Sequence, residues 1–373
     1  MLLTGVTGMV GAELLAALLR ARPDLRVAAL VRPGAEGAQA RLNAALARVL
    51  PEGAGDRVRA VAGDIEAENL GLSAADAASL RASVTEVIHS AAAVRFDLPL
   101  EEARRINVGG TAATLAFAMG CAGLRSFDYV STAYVCGGRT GLVQPEDPPQ
   151  TPFHNSYEQS KVEAEALLQR AWRGQGLPLR VFRPSIVVGH SQTGFTPNNN
   201  TLYWPIKVYA RGRWRLVPGR ASSRFDIVPV DHVVHALLAL RERVPCDGRA
   251  WHLCAGPDAA ATAGEVTELA RRAFDAKPIL WIHPGLYKRV LRPALRWALG
   301  RRRADVFKGG AAYLPYFTSD LVFDTSRTDA ALAGTGIRAP RVQSYFERLF
   351  DYCKATDFGK RPLLPDASAS PER

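Results

Sequence analysis

Over its first 190 residues the chain alternates short apolar runs with amphipathic stretches. The apolar runs predict strands at Met1–Leu3, Val27–Val31, Val58–Ala62, Glu86–Ser90, Ser126–Ser131 and Leu179–Arg183. Between them the apolar positions switch to helical spacing, as in Val10, Leu14, Leu15, Leu18 and Leu19, and again from Val162 to Ala171 after Ser156. Strands that alternate with helices predict an α/β fold, a doubly wound parallel sheet covered on both faces. Only three residues precede Thr4, so the first strand is short, which points to a start further upstream or to a chain cut from something longer.

After residue 190 the texture changes. Thr196-Pro197-Asn198-Asn199-Asn200 reads as a loop, and an aromatic stretch runs from Tyr203 to Trp214. A strand is expected at Arg224–Val228, then a helix capped by Asp231, then another opened by Thr262 and Glu265 at capping-box spacing. The expected division is a core over 1–190, a smaller, mainly helical substrate-binding region over 191–362 with 224–255 partly returning to the core, and a disordered tail over 363–373 rich in Pro, Ser and Ala.

Composition narrows the class. With 373 residues, 47% of them hydrophobic, the chain can bury a large core. No apolar run reaches the roughly 18 residues of a membrane span, and the N-terminus carries no basic-then-apolar leader, so a cytoplasmic setting is expected. Five scattered cysteines without a Cys-x-x-Cys suggest neither disulfides nor zinc, and no metal is expected. The net charge of +11 favours polyanionic partners. Tyr287–Arg303 gathers much of it beside Leu, Val and Trp, as a membrane-surface helix or a docking face for an acidic carrier protein would; the bland alternative is a surface helix packed on the core. Nucleic-acid binding is not expected, because no recognised module accompanies the charge.

Thr4-Gly5-Val6-Thr7-Gly8-Met9-Val10-Gly11 ends the first strand and opens a helix. Glycines at three-residue intervals let the backbone turn sharply and approach a pyrophosphate at the helix N-terminus, the Rossmann-type arrangement. A binder of NAD would carry an acidic residue near the end of the second strand, whereas this chain has Ala29-Leu30-Val31-Arg32. Arg32, with Arg41 as a second cation, can meet a 2′-phosphate, so the expected cofactor is NADPH. Asp64, with Ile65 beside it, stands where a strand-end carboxylate could accept from an adenine amino group; a helix N-cap is the alternative.

Asn155-Ser156-Tyr157-Glu158-Gln159-Ser160-Lys161 places Tyr157 and Lys161 one helical turn apart. A phenol near its ordinary pKa is a poor acid-base partner at neutral pH, and a neighbouring ammonium helps by stabilising the phenolate. Tyr157 can then protonate a carbonyl oxygen as hydride arrives, while Lys161 can also hold ribose hydroxyls.

With Val87-Ile88-His89-Ser90-Ala91-Ala92-Ala93-Val94-Arg95-Phe96, Asn107-Val108-Gly109-Gly110-Thr111, Tyr129-Val130-Ser131-Thr132-Ala133-Tyr134-Val135 and Arg183-Pro184-Ser185-Ile186-Val187-Val188-Gly189, the chain resembles the extended short-chain dehydrogenase/reductase superfamily over at least residues 1–240, closest to its fatty acyl-CoA and acyl-thioester reductase branch. The resemblance implies that Thr132, or less readily Ser131, bonds the substrate carbonyl or oxyanion. It implies that Ala91, Ala92 and Ala93 line the adenosine side, that Asn107 buttresses the sheet near the active helix, and that Pro184 and Ser185 contact the nicotinamide end. It further implies an apolar acyl thioester, on coenzyme A or a carrier protein, reduced to an aldehyde or onward to an alcohol, by an enzyme in the cytoplasm or peripheral to a membrane. The alternatives on the same fold are a ketone or hydroxysteroid-type oxidoreductase, a nucleotide-sugar epimerase or dehydratase, and a non-catalytic NADPH-binding regulator.

Overall fold

A computed structural model describes residues 1–197, 202–212, 215–286, 289, 316 and 320–361. Asn198–Asn200, Tyr287–Arg303 apart from Arg289, and the tail over 363–373 lie outside the described residues.

Seven parallel strands form the central sheet: β1 (Leu2–Thr4), β2 (Val27–Val31), β3 (Val58–Ala62), β4 (Glu86–His89), β5 (Ser126–Val130), β6 (Leu179–Pro184) and β7 (Asp247–Leu253). Their spatial order is β7-β6-β5-β4-β1-β2-β3. The chain winds from β1 to β3 on one side, then crosses back to place β4 on the other side of β1, with Thr4 paired to Leu30 and to His89. That reversal opens a crevice at the carboxyl ends of β1 and β4, where ligands bind in doubly wound sheets.

Both faces are covered. On one face lie α1 (Met9–Ala21), α2 (Gly37–Leu46) and α8 (Val230–Arg243); on the other lie α3 (Ala74–Ser83), α5 (Gly110–Met119) and α6 (Ser156–Gln175). The short α4 (Leu100–Arg104) leads through a π-helical turn, Arg105–Gly109, into α5. Leu14, Leu15, Leu18 and Leu19 of α1 are each at most 2% exposed, so their helical spacing is the spacing of a buried stripe. Each such side chain contributes roughly 1.5–3 kcal/mol over an exposed one. A separate apolar cluster joins Tyr203 and Ile206 of α7 (Tyr203–Ala210) to Phe225, Phe323, Tyr345 and Phe346, and it closes over the crevice.

Two local expectations change. The stretch Arg224–Val228 is not one strand: Arg224–Phe225 pairs antiparallel with Ala261–Thr262, while Ile227–Pro229 pairs parallel with Ile186–Val188. Asp226 sits at the break because its buried carboxylate must be satisfied, and it accepts from the N–H groups of Ala255 (2.7 Å) and Gly256 (3.0 Å). Asp231 does not cap α8; Pro229 occupies the cap in extended backbone, and Asp231 accepts from the Ser191 N–H and hydroxyl instead. Thr262 and Glu265 form the full capping box. Among the described residues no helix is long and apolar enough to cross a membrane.

Candidate active site

The glycine turn admits no side chain at Gly5 or Gly11. Gly5 sits at φ +76°, and a Cβ there would stand 2.5 Å from the Ala91 nitrogen; a Cβ on Gly11 would stand 2.2 Å from the Gly5 carbonyl oxygen. Gly8 opens α1 with no side-chain cap, so the N–H groups of the first turn remain available to an anion. Gly5, Gly8, Met9, Val10 and Gly11 form one end of a cavity of about 340 Å³. The cavity's other parts are made by Val130, Ser131, Thr132, Tyr157, Lys161, Pro184 and Ser185, and by an apolar set that includes Val94, Phe96, Ile186, Leu202 and Phe225.

A buried chain of hydrogen bonds fixes this turn to the sheet. The Thr111 hydroxyl donates to the Asn107 carbonyl (2.6 Å) and lies 3.1 Å from His89 Nε2, while His89 Nδ1 lies 2.7 Å from the Thr4 hydroxyl, which accepts from the Ala91 N–H. Burial and the nearby Lys161 charge push His89 down to about 3. Its neutral ring therefore carries its proton on Nε2 and accepts from Thr4 at Nδ1. The Thr4 side chain thus serves this chain of bonds, and Thr4 also borders the adjoining cavity.

That adjoining cavity, about 240 Å³, brings together Thr7, Arg32, Arg41, Asp64, Ile65, Ala91 and Ala92. Arg32, 60% exposed, reaches Asp64 (3.7 Å) and Glu66 (3.5 Å), and Arg41 donates to the Arg32 carbonyl (2.9 Å). Glu66 also pairs with Arg105. One oxygen of Asp64 caps the following turn by accepting from the Glu66 N–H (3.0 Å).

At the start of α6, Asn155 caps the helix by accepting from the Glu158 N–H, which sets Tyr157 in the first turn. Burial pushes the Tyr157 phenol up to about 12, with the Thr132 hydroxyl in reach pulling it back. Thr132 caps the short turn Ala133–Cys136 by accepting from the Tyr134 N–H, which leaves its own proton to donate. Lys161, one turn beyond Tyr157, is almost wholly buried and pushed down to about 7. Its ammonium donates to the Val130 carbonyl (2.8 Å) and lies 4.1 Å from the centre of the Tyr129 ring, so its hydrogen bond goes to the end of β5 and not to the phenol.

Asn107 lies in the π-turn, a distortion common at functional sites. Its side chain accepts from the Ala93 N–H (2.8 Å) and donates to the Ala93 carbonyl and to the Ser160 hydroxyl, which donates to the Tyr157 carbonyl (2.9 Å). The Ala91–Ala93 loop and the start of α6 are thereby locked together. The Ser131 hydroxyl is buried with no hydrogen-bond partner among the described residues, while the Ser185 hydroxyl is buried within reach of Asp226 and Cys254; both serines line the cavity.

The two side-chain-free glycines, the uncapped helix start and the unpaired Ser131 hydroxyl on the cavity's lining fit a dinucleotide laid across the crevice. Tyr316 also lines the cavity; it lies far from every motif, and no local pattern marked it. Among the described residues no group of three or more His, Cys, Asp or Glu could hold a metal.

Comparison with known proteins agrees with this geometry. The male sterility protein model, an NAD-binding family model, matches residues 3–237. The chain is 34% identical to the nonribosomal peptide synthetase FrzA of Cladobotryum sp over 67% of its own length and 25% of that protein. It is 32% identical to the fatty acyl-CoA reductase wat of Drosophila melanogaster over 49% of its length and 41% of the relative. The chain therefore spans only a quarter to two-fifths of these two curated relatives. Among solved structures, the terminal R domain from the myxalamid PKS-NRPS biosynthetic pathway superposes with a TM-score of 0.79 at 28% identity, over 98% of this chain and 92% of that one.

Proposed function

The chain belongs to the male sterility protein family of NAD-binding chains, and from that membership we propose that it is an NADPH-dependent reductase converting an acyl thioester to an aldehyde. The observation that carries the reading is the placement of Tyr157 and Thr132 on one wall of an apolar cavity whose far end is the glycine turn. The likeness to a terminal R domain over nearly all of both chains favours a thioester tethered to a carrier protein over one on free coenzyme A.

In this reading the first turn of α1 receives the pyrophosphate, Arg32 and Arg41 receive the 2′-phosphate, and Ser131, Pro184 and Ser185 line the nicotinamide end. Lys161, fixed at the end of β5, serves the ribose hydroxyls. When bound, NADPH supplies a hydride. Thr132 donates to the thioester carbonyl oxygen and stabilises the negative charge that develops there. Tyr157, held neutral by a pKa near 12, protonates that oxygen to give a hemithioacetal. On collapse the carbon–sulfur bond breaks, its electron pair leaves on sulfur with the hydroxyl proton, and the products are an aldehyde and a thiol. The apolar wall excludes water from the carbonyl and accepts the acyl chain.

The test is Tyr157→Phe. Turnover of acyl thioesters is expected to fall at least about 100-fold, with the Kd for NADPH within about threefold of wild type, since only the transferred proton is removed. Preserved turnover sinks the assignment. Wild-type protein that binds NADPH but reduces thioesters no faster than ketones favours the ketone-reductase reading instead.

A further inference from the structure

The catalytic cavity is partly walled by a residue from more than 150 positions beyond Tyr157. Tyr316 is 7% exposed, and its phenol donates to Glu158 Oε1 (2.5 Å) while accepting from Asn155 Nδ2 (2.8 Å). Glu158 is fully buried, and its other oxygen accepts from the His154 backbone N–H (2.9 Å) and lies 3.0 Å from His154 Nδ1. The Tyr316 ring stacks on Phe96 with centroids 5.6 Å apart and meets Tyr134 edge-on at 5.1 Å. Phe96 in turn leans on Tyr157 at 5.9 Å. All four rings border the same cavity.

A Tyr316 that swung away would leave a fully buried carboxylate short of a donor, so the ring is held where it is. An aliphatic side chain there could change rotamer at little cost. The fixed ring lies beside Phe96 and therefore next to the space in which a carbonyl held by Tyr157 and Thr132 must place its substituents.

We infer that Tyr316 is a specificity-determining residue: clamped by Glu158 and Asn155 and backed by Phe96, its ring admits straight acyl chains and excludes a branch on the carbon next to the carbonyl. The inference rests on the thioester-reductase reading for its substrate, but the wall itself does not depend on turnover.

Two measurements separate the two claims. The first compares kcat/KM for a straight acyl thioester and its 2-methyl isomer in wild type, Y316F, Y316L and Y316A. The second measures by calorimetry the affinity of the NADPH-loaded protein for the matching straight and 2-methyl primary alcohols, with no reaction taking place. Wild type is expected to prefer the straight form by roughly 10- to 100-fold, the scale on which a fixed pocket rejects one methyl group. Y316A and Y316L should bring that ratio to within about threefold, while Y316F, which keeps the ring but loses the clamp to Glu158 and Asn155, should fall between them and wild type. Y316A and Y316L that keep the wild-type ratio in both measurements overturn the inference. If no thioester is reduced by wild type but the alcohol ratio still collapses in Y316L, the wall stands and the reduction reading falls. Y316L carries the comparison if Y316A does not fold.

Discussion

Arg32 extends past the end of β2 with most of its surface in solvent, yet its guanidinium is already shared between Asp64 and Glu66. An exposed pair of this kind contributes at most about 1 kcal/mol, so a doubly charged phosphate that also meets Arg41 can recruit the guanidinium at small cost. The two carboxylates then hold Arg32 over the cavity when no phosphate is present, and they repel an anion that lacks a second cation to meet. Replacing Arg32 with Asp removes the donor and leaves three carboxylates side by side. The expected result, read by fluorescence titration, is a Kd for NADPH raised by roughly 10- to 100-fold, the scale of one or two charge-assisted bonds, with the Kd for NADH changed by less than about threefold. Equal losses for both cofactors would remove Arg32 from the phosphate site.

At the scale of elements, the packing of α1 on β1 decides whether the crevice exists. Gly11 has no room for a Cβ, because the atoms in the way are backbone: the Gly5 carbonyl oxygen at 2.2 Å and carbon at 2.7 Å. Gly11→Ala must push α1 away from β1. An overpacking cost of about 1–3 kcal/mol in urea unfolding is expected, together with an NADPH affinity at least about tenfold weaker, because the displaced helix start no longer faces the phosphates. Gly174 in α6 is exposed with nothing within 4 Å, so Gly174→Ala should stabilise by roughly 0.5–1 kcal/mol and leave cofactor binding alone. Two glycine-to-alanine changes with opposite signs separate close approach from helix propensity. The same contrast explains what could be read from sequence. The glycine spacing, Arg32 and the Tyr157–Lys161 turn were legible because each is a local pattern with a local physical cause. The single strand expected at Arg224–Val228 and the Asp231 cap do not form, because the groups that take the Asp226 and Asp231 carboxylates, Ala255, Gly256 and Ser191, are remote in sequence. Tyr316 carried no signal at all, since its role depends on Glu158, Asn155 and Phe96, which only the tertiary fold brings to it.

Across the whole molecule the two edges of the sheet do different work. The carboxyl ends of the strands hold the glycine turn, Thr132 and Tyr157. The opposite edge holds a buried ionic network in which Asp128 of β5 accepts from Arg180 of β6 and Arg241 of α8 (both 2.6 Å), and Arg241 also reaches Glu86 of β4 (2.7 Å). Arg22, just after α1, joins it through Glu86. Asp128 is fully buried and both of its arginine partners are 7% exposed at the side chain, so removing its carboxylate leaves the buried Arg180 charge with backbone carbonyls alone and Arg241 with Glu86 alone. Asp128→Ala is expected to lose about 3–5 kcal/mol of stability. It should nonetheless leave the NADPH Kd and thioester turnover within about twofold of wild type below the unfolding transition, because additivity fails only for residues that touch or share partners. Urea unfolding and cofactor titration on the same preparation decide the matter. A loss of cofactor affinity matching the loss of stability would mean that the two edges are coupled through β4 and β5, whose far ends carry His89 and Val130, and hence through the bonds that hold Thr4 and Lys161 in place.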